Sequence, residues 1–390
     1  MRILYSFPHA IGAPGIGTTA IQQVRGLLDR GHQVTVIAAS IHSSAPALPI
    51  ALKTMVFGGV RVPHRIMGMD RTMAYHDWTV AAHLRKNPAA YDVVHCWPGA
   101  TIHTCRAALA VNTPAVREIP NTHTANAYDV VGALCAELGI ELPHGHSHKL
   151  NVGRLRREEA EYKEAQKLLV PSEYVKATFI ARGFSQDKLL QHQYGFDPTT
   201  FTLNPSPRTG PFHAVFLGAV EPRKGLHVAL EAWRLSEAFK DARLSVYGRI
   251  VDGYAKVLEP YRTLPGVEFH GFTGNAAGVL QSADVLVLPS FEEGSALVTY
   301  EAQGCGAVPL VSDATGAKCV HEISGMIHPA GNAEILSDHI SRLKNDRGFL
   351  ERIRKGVINH RNSLTWAAAA QSLEYCYEIA RTKSHEHKKM

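Results

Sequence analysis

Cysteine is scarce and unpatterned in this chain. The six residues, Cys96, Cys105, Cys135, Cys305, Cys319 and Cys376, include no C-x-x-C pair, and several lie in apolar runs. This excludes a disulfide framework and a thiolate metal knuckle and leaves free, buried thiols of a reducing compartment. Long hydrophobic runs are missing too: nothing approaches the ~20 apolar residues of a spanning helix. Met1-Arg2 passes directly into "ILYSF", with no apolar h-region or small-residue cleavage site. A cytoplasmic protein is expected, with room for peripheral contact at the inner membrane face. Charge of one sign is thin: 41 Lys and Arg stand against 35 Asp and Glu, a net +6. The compact basic segments are Arg154–Arg157 and the tail from Lys383 to Lys389. So dilute a balance excludes a nucleic-acid grip but tolerates an anionic ligand or membrane surface. Short tandem repeats are absent, which excludes a solenoid. Histidine is plentiful, at 22, but scattered. Its one cluster, "HGHSH" (His144, His146, His148), has no acidic or thiol partner at ligand spacing and reads as a solvated loop.

What is present is an α/β rhythm. At 390 residues and 45% hydrophobic, the chain can fill two cores. Short apolar runs, "ILYSF", "VTVIA", "DVVHC", "AVREI" and "KLLVP", alternate with amphipathic stretches in the first half. Thr18 to Arg30 has helical spacing and stops at Gly31, and Ser172 is a candidate N-cap for the helix that ends at Gly183. From Tyr194 to Pro211 the texture turns to Pro, Gly, Thr and Ser, a linker signature. The rhythm then restarts with "AVFLG", "LSVYG", "VEFHG", "DVLVLP" and "AVPLVS", and a last helix runs from Thr365 to about Arg381. Two Rossmann-like, doubly wound parallel-sheet domains are expected, 1–195 and 196–364, with a ligand in the cleft between them.

Three predicted strand ends carry chemistry. "FPHAIGAPGIGTTA" puts Gly12, Gly15 and Gly17 before a helix, where bare backbone can approach a phosphate or simply turn tightly. It lacks both a G-x-G-x-x-G and a P-loop Lys-Ser/Thr. After "AVFLG", ending at Gly218, comes Glu221-Pro222-Arg223-Lys224-Gly225 and a helix. Two cations at a helix start oppose its macrodipole, unless both are solvated or an anion sits among them. After "DVLVLP", the run "SFEEGSALVTYEAQGCG" places Glu293 in a loop and Glu301 inside a helix expected over Ala296–Cys305, with Ser295 as its cap. Eight residues of helical rise span about 12 Å, the scale of a nucleotide sugar, whose hydroxyls suit two carboxylates. A helix-start Glu plus a solvated Glu is the plainer alternative.

Together, "FEEGSALVTYEAQGCGAVPLVSDATG" with its E-x7-E pair and the "PRKG" turn resemble the large retaining glycosyltransferase family of GT-B fold, group 1 or family 4-like. "GIGTTAIQQVRGLLDRGHQVTVIA" and "VPSEYVKATFIARGFSQDKLLQHQYGFDPTTF" extend the likeness. Residues 58–98 and 127–156 match least, and acceptor recognition is expected there. The resemblance implies that Glu293 contacts the transferred sugar with backbone N–H groups of Gly294, Ser295 and Ala296, and that Glu301 holds the ribose. It implies that Arg223 and Lys224 face the diphosphate beside Gly218, with Gly15 and Gly17 approaching from the first domain, and that His123 in "EIPNTHTANAY" lines the sugar site, a loop or core histidine being the alternative. The final helix, within 365–390, would pack back on the first domain. One departure is Ala219, where the family commonly carries Arg; Arg223 is the candidate replacement.

The implied activity is transfer from a nucleoside-diphosphate sugar to a hydroxyl of a carbohydrate or lipid-linked acceptor, in bacterial glycan or polysaccharide assembly. No D-x-D lies near these segments, so neither metal nor other cofactor is expected. A nucleotide-sugar epimerase or a non-catalytic nucleotide-sugar sensor are the alternatives.

Overall fold

In the computed structural model the described residues are 1–43, 45, 47–62, 64–204 and 210–386. Residues 205–209 of the Pro-rich linker and 387–390 of the basic tail lie outside them. The first sheet takes β1 (Arg2–Ile11), β2 (Gln33–Ile41) and β3 (Ile50–Lys53). After a small antiparallel hairpin of β4 (Val56–Phe57) and β5 (Val60–Arg61), it continues with β6 (Val93–Cys96), β7 (Ala115–Glu118), β8 (Lys167–Val170) and β9 (Leu189–Gln191). Its strands are parallel, in the order β3-β2-β1-β6-β7-β8-β9. The second sheet joins β10 (His213–Leu217), β11 (Arg243–Tyr247), β12 (Val267–Gly271), β13 (Val285–Leu288), β14 (Val308–Ser312) and β15 (Met326–His328), parallel, in the order β12-β11-β10-β13-β14-β15. Strands buried on both faces read as continuous apolar runs; all four residues of β6 and of β13 are buried. The three-residue strands β9 and β15 and the partly exposed β3 lacked that signal, and sequence patterning missed them.

Helices cover both faces. Around the first sheet lie α1 (Ile16–Asp29), α2 (His64–Met67), α3 (Met69–Lys86), α4 (Ile102–Ala110), α5 (Thr124–Glu137), α6 (Val152–Glu164) and α7 (Glu173–Ile180). Around the second lie α8 (Leu226–Leu235), α9 (Ala255–Leu258), α10 (Ala276–Ser282), α11 (Leu297–Gly304), α12 (Ala333–Asn345) and α13 (Arg347–His360). The last helix, α14 (Trp366–Glu386), returns to the first domain. Its Leu373, Cys376 and Tyr377 share a core with Ile3, Tyr5 and Phe7 of β1. Gly26 of α1 lets the two helices touch: a Cβ there would lie 2.6 Å from that of Ala370. Tyr377 also bonds His95 Nδ1 at 2.6 Å, beside a fully buried carboxylate, Glu118, that meets His192 at 3.0 Å and Tyr194 at 2.9 Å. Burial would raise the Glu118 pKa, but the two histidines outweigh it and hold the carboxyl well below the usual range. The two chain crossings between domains run side by side, with Phe196 N–H bonded to the Leu364 carbonyl and Trp366 N–H to that of Phe196.

In each sheet the strand order reverses beside its first strand, between β1 and β6 and between β10 and β13. Such switch points open a crevice at the carboxyl ends of the strands. The "EPRKG" turn follows β10 and the "SFEEGSA" loop follows β13. The two motifs therefore flank one crevice.

Candidate active site

Pro222–Lys224 form a single 3₁₀ turn between β10 and α8. Lys224 crosses the end of β10, its Cε 3.8 Å from where a Cβ on Gly218 would stand, and its ammonium pairs with Glu293. Arg223 is 9% exposed and fully occupied. It donates to Glu221 Oε1 at 2.7 Å and to the Glu292 carbonyl at 2.6 Å, and its Nη1 lies 2.8 Å from Glu293 Oε2. Burial alone would lower its pKa, but Glu293, Glu221 and Glu292 outweigh that and raise it. Sequence reasoning placed both cations on the diphosphate. The structure gives them different surroundings: Arg223 clamps the two motif loops together, and Lys224 is the more open cation.

The helix after the E-x7-E loop starts one residue later than expected, with Ala296 at its N-cap. Ser295 does not cap it; its hydroxyl meets Tyr300 at 2.9 Å and the Gly316 carbonyl at 2.9 Å. The Ala296 N–H points to the Thr315 carbonyl, 3.4 Å away. Both groups serve the second domain's own fold. Glu301 lies inside α11. Val298, one turn before it, packs in the same cluster as Leu217 and Tyr247, the last residues of β10 and β11. Among the described residues nothing pairs with the Glu301 carboxylate, and burial pushes its pKa up to about 7.

The motif loop is also the seam between domains. Ser172 caps α7 and donates its hydroxyl to the Gly294 carbonyl at 2.6 Å. Gly294 sits so close to the first domain that a Cβ would fall 2.1 Å from the Pro120 carbonyl. Glu292, completely buried, accepts from the Thr122 hydroxyl at 2.5 Å and lies 3.4 Å from His148 Nε2. Burial would raise its pKa; His148 and Arg223 prevail and lower it. Sequence spacing singled out Glu293 and passed over this neighbour, for which the doublet Glu292-Glu293 was the sole signal.

The expectation of a solvated "HGHSH" loop holds for His144, which is exposed, and is overturned for His146 and His148. His146 Nε2 lies 3.0 Å from Glu221 Oε2 across the cleft. Burial would raise Glu221, but His146 and Arg223 bring it down to about 2. His146, His148 and Glu221 are, among the described residues, the group with metal-ligand spacing, their ligand atoms within 4.8 Å of one another. Both ring nitrogens of His146 are nevertheless used, since Nδ1 accepts the His148 N–H at 3.2 Å. The arrangement is that of a hydrogen-bonded interdomain contact. No spacing rule could pair a loop in one domain with a carboxylate 75 residues on.

His123 does not reach the cleft. Its ring is buried among Tyr162, Phe179 and Phe184, and its Nδ1 caps α5 by accepting the Ala125 N–H at 3.2 Å. Burial, with Arg182 nearby, lowers its pKa to about 4, so it is neutral. Its neighbours Thr122 and Thr124 line the cavity instead. Gly15 is exposed with open space on its side-chain face, whereas Gly17 packs on the Ala10 carbonyl, 2.7 Å from a would-be Cβ. Gly17 thus shapes the loop from within.

A cavity of about 510 Å³ opens in the first domain beside the seam, between Ile16, Met69, Met73, Tyr128, His148 and Arg154. It draws on both segments where acceptor recognition was expected. In the basic segment Arg154–Arg157, Arg154 and Arg157 are half-buried at this cavity, and Arg156 faces solvent. Arg154 bonds Glu158 at 2.6 Å at the cavity wall, and Glu161 binds Arg117 in the interior at 2.8 Å.

Residues 14–200 match the family described as Glycosyltransferase Family 4, and residues 211–346 that described as Glycosyl transferases group 1. A D-inositol 3-phosphate glycosyltransferase of Streptomyces bingchenggensis is 31% identical over 102 residues, 26% of this chain and only 22% of that protein. One of the same name from Actinosynnema mirum is 24% identical over 96% of this chain and 94% of its own. Among solved structures, sucrose-phosphate synthase from Thermosynechococcus elongatus superposes with a TM-score of 0.68 at 18% identity, covering 97% of this chain and 98% of that one. The Anabaena protein HepE, in complex with UDP-glucose, gives 0.66 at 16% identity, over 99% and 100%. At such identities the structural likeness establishes the fold.

Proposed function

The chain belongs to the GT-B glycosyltransferases of group 1 and family 4, and from that premise we propose that it moves a sugar from a nucleoside-diphosphate sugar to an acceptor hydroxyl, with retention at the anomeric carbon, in bacterial glycan assembly. The observation that carries this reading is the Glu301 carboxylate, partly buried and without a partner among the described residues, on the helix whose preceding loop carries Glu293, the partner of Lys224. A carboxylate desolvated without hydrogen bonds is unfavourable. Ribose hydroxyls would supply the missing donors, and Lys224 the charge facing the diphosphate. The UDP-glucose complex of HepE makes uridine donors the first to test.

In the proposed reaction the bond from the anomeric carbon to the phosphate oxygen breaks, and a bond to the acceptor oxygen forms on the same face. The acceptor proton passes to the leaving phosphate. Lys224 stabilises the charge that builds there in a dry cleft. Glu293, already paired with Lys224 and Arg223, positions these groups and is not the nucleophile. No metal ion is required for this step, and turnover is expected to survive chelation.

A thermal-shift series with UDP-, GDP-, ADP- and dTDP-sugars tests the donor. The right one at 100 times its Kd should stabilise by about 2.7 kcal/mol, and silence from all of them overturns the reading. With that donor, Lys224→Ala should lower nucleotide release by about 10²-fold or more while the melting temperature holds. Incubation without acceptor separates transfer from epimerisation, which would alter the sugar itself.

A further inference from the structure

The motif loops are short of positive charge for a diphosphate. Three carboxylates, Glu221, Glu292 and Glu293, stand against two cations, Arg223 and Lys224. Arg223 is occupied by Glu221, Glu293 and the Glu292 carbonyl, and the Lys224 ammonium is paired with Glu293. An anion brought to so balanced a set lacks a counter-charge, and the charge that builds on a leaving phosphate calls for one.

Strand register supplies it. Leu217 of β10 pairs with Tyr247 of β11, and beyond the strands Val220 is bridged to Ile250. The offset is the same at both pairs, so Ala219 and Arg249 stand side by side. Gly218 and Gly248 make the same excursion between them, with φ of 155° and 152°. They lie so close that a Cβ on Gly248 would fall 1.8 Å from the Gly218 carbonyl oxygen. The Val220 N–H donates to the Arg249 carbonyl at 2.9 Å, and the Val251 N–H to that of Val220 at 2.9 Å, which fixes the two extensions to each other. Neighbouring strands run about 4.8 Å apart, and parallel partners project to the same side of the sheet. Arg249 therefore rises beside Ala219, next to the Gly218 that Lys224 crosses. Its side chain is exposed and, among the described residues, meets no carboxylate or carbonyl. The guanidinium lies over the ring of Phe272, 5.3 Å from the centroid, and that ring is itself 71% exposed. A cation on an exposed ring is held weakly, whereas the arginine fork matches two phosphate oxygens at once.

We propose that Arg249, delivered from the end of β11, is the second cation on the donor's diphosphate and acts beside Lys224. This rests on the glycosyl-transfer reading. Melting of the full chain is followed with UDP, GDP, ADP and dTDP, with their nucleosides and with inorganic pyrophosphate. The nucleoside diphosphate that stabilises wild type should bind Arg249→Ala about tenfold more weakly or worse. Stabilisation by pyrophosphate should fall in step, and the matching nucleoside should bind both proteins alike. Ligand-free melting should not change, because the side chain is exposed. Ala219 is exposed too, so the double variant Arg249→Ala, Ala219→Arg returns a cation from the neighbouring strand. It should recover most of the lost affinity, a rescue that a merely structural role would not give. Arg262→Ala removes another arginine that lies over a phenylalanine of the second domain, 5.8 Å from the Phe269 centroid, and should bind as wild type. Equal binding of the diphosphate by wild type and Arg249→Ala overturns this inference and leaves the transferase reading standing. So does a loss that the nucleoside shares, which would give Arg249 to the base. A wild type that no nucleoside diphosphate and no nucleotide sugar stabilises overturns both.

Discussion

At the scale of the residue, the site is a problem in placing carboxylates. Glu292 and Glu293 are met by Thr122, His148, Arg223 and Lys224, while Glu301 is met by nothing among the described residues. A glutamate whose folded pKa is raised from 4.5 to about 7 binds more protons folded than unfolded between those values. The contribution of Glu301 to the stability of the ligand-free protein therefore falls as pH rises through that window and is flat above it. Glu301→Gln should remove this penalty, on the order of 1–3 kcal/mol, raising the melting temperature at pH 8 with little change at pH 4. The same variant should weaken donor binding, most at high pH. If its melting temperature tracks wild type at every pH, Glu301 already has a partner. Residue identity was the most legible layer of the sequence: Glu293, Glu301, Arg223 and Lys224 were visible by spacing. Roles were less so, because Arg223 is claimed by Glu221, a contact no motif announces. His123 likewise turns inward to an aromatic cage rather than to the cavity that Thr122 and Thr124 line.

At the scale of the element, strand ends and loops decide. The loop after β13 faces its own domain through Ser295 and Ala296 and the other domain through Phe291, Glu292 and Gly294. Gly294 is where that double duty leaves no room. Gly294→Ala should force the loop from Pro120 and hold the domains apart, with each sheet intact. Small-angle scattering should then give a larger radius of gyration, and turnover should drop by about 10²-fold, since a misplacement of ~1 Å can cost that much. An unchanged radius and rate would mean that the closed seam is dispensable. The apolar runs made β6 and β13 readable, whereas short or half-exposed strands such as β3 and β15 depend on neighbours already in place.

At the scale of the whole molecule, buried imidazoles couple stability to acid. Burial holds His76 down to about 3, and His123 and His227 to about 4. Below their ordinary value of 6.5 the unfolded chain binds protons that the folded chain refuses, so stability is lost as pH falls from 6.5 toward 4. Each contributes on the order of 1–3 kcal/mol, and both domains carry at least one. Melting followed by circular dichroism should show a steep decline over this window. His76→Gln should flatten it, and a profile level from pH 7 to 4 would refute the buried neutral state.

By itself the sequence determined that two parallel α/β units alternate along the chain and that three strand ends carry glycines, cations and carboxylates, because periodicity and turn chemistry are local properties. Only the tertiary structure decided that "EPRKG" and "SFEEGSA" flank one switch point, that "HGHSH" reaches Glu221, and that Glu292 rather than solvent faces Thr122. Those facts depend on strand order and on the docking of one domain against another. Contacts between residues 75 to 170 positions apart leave no periodic trace in the chain that makes them.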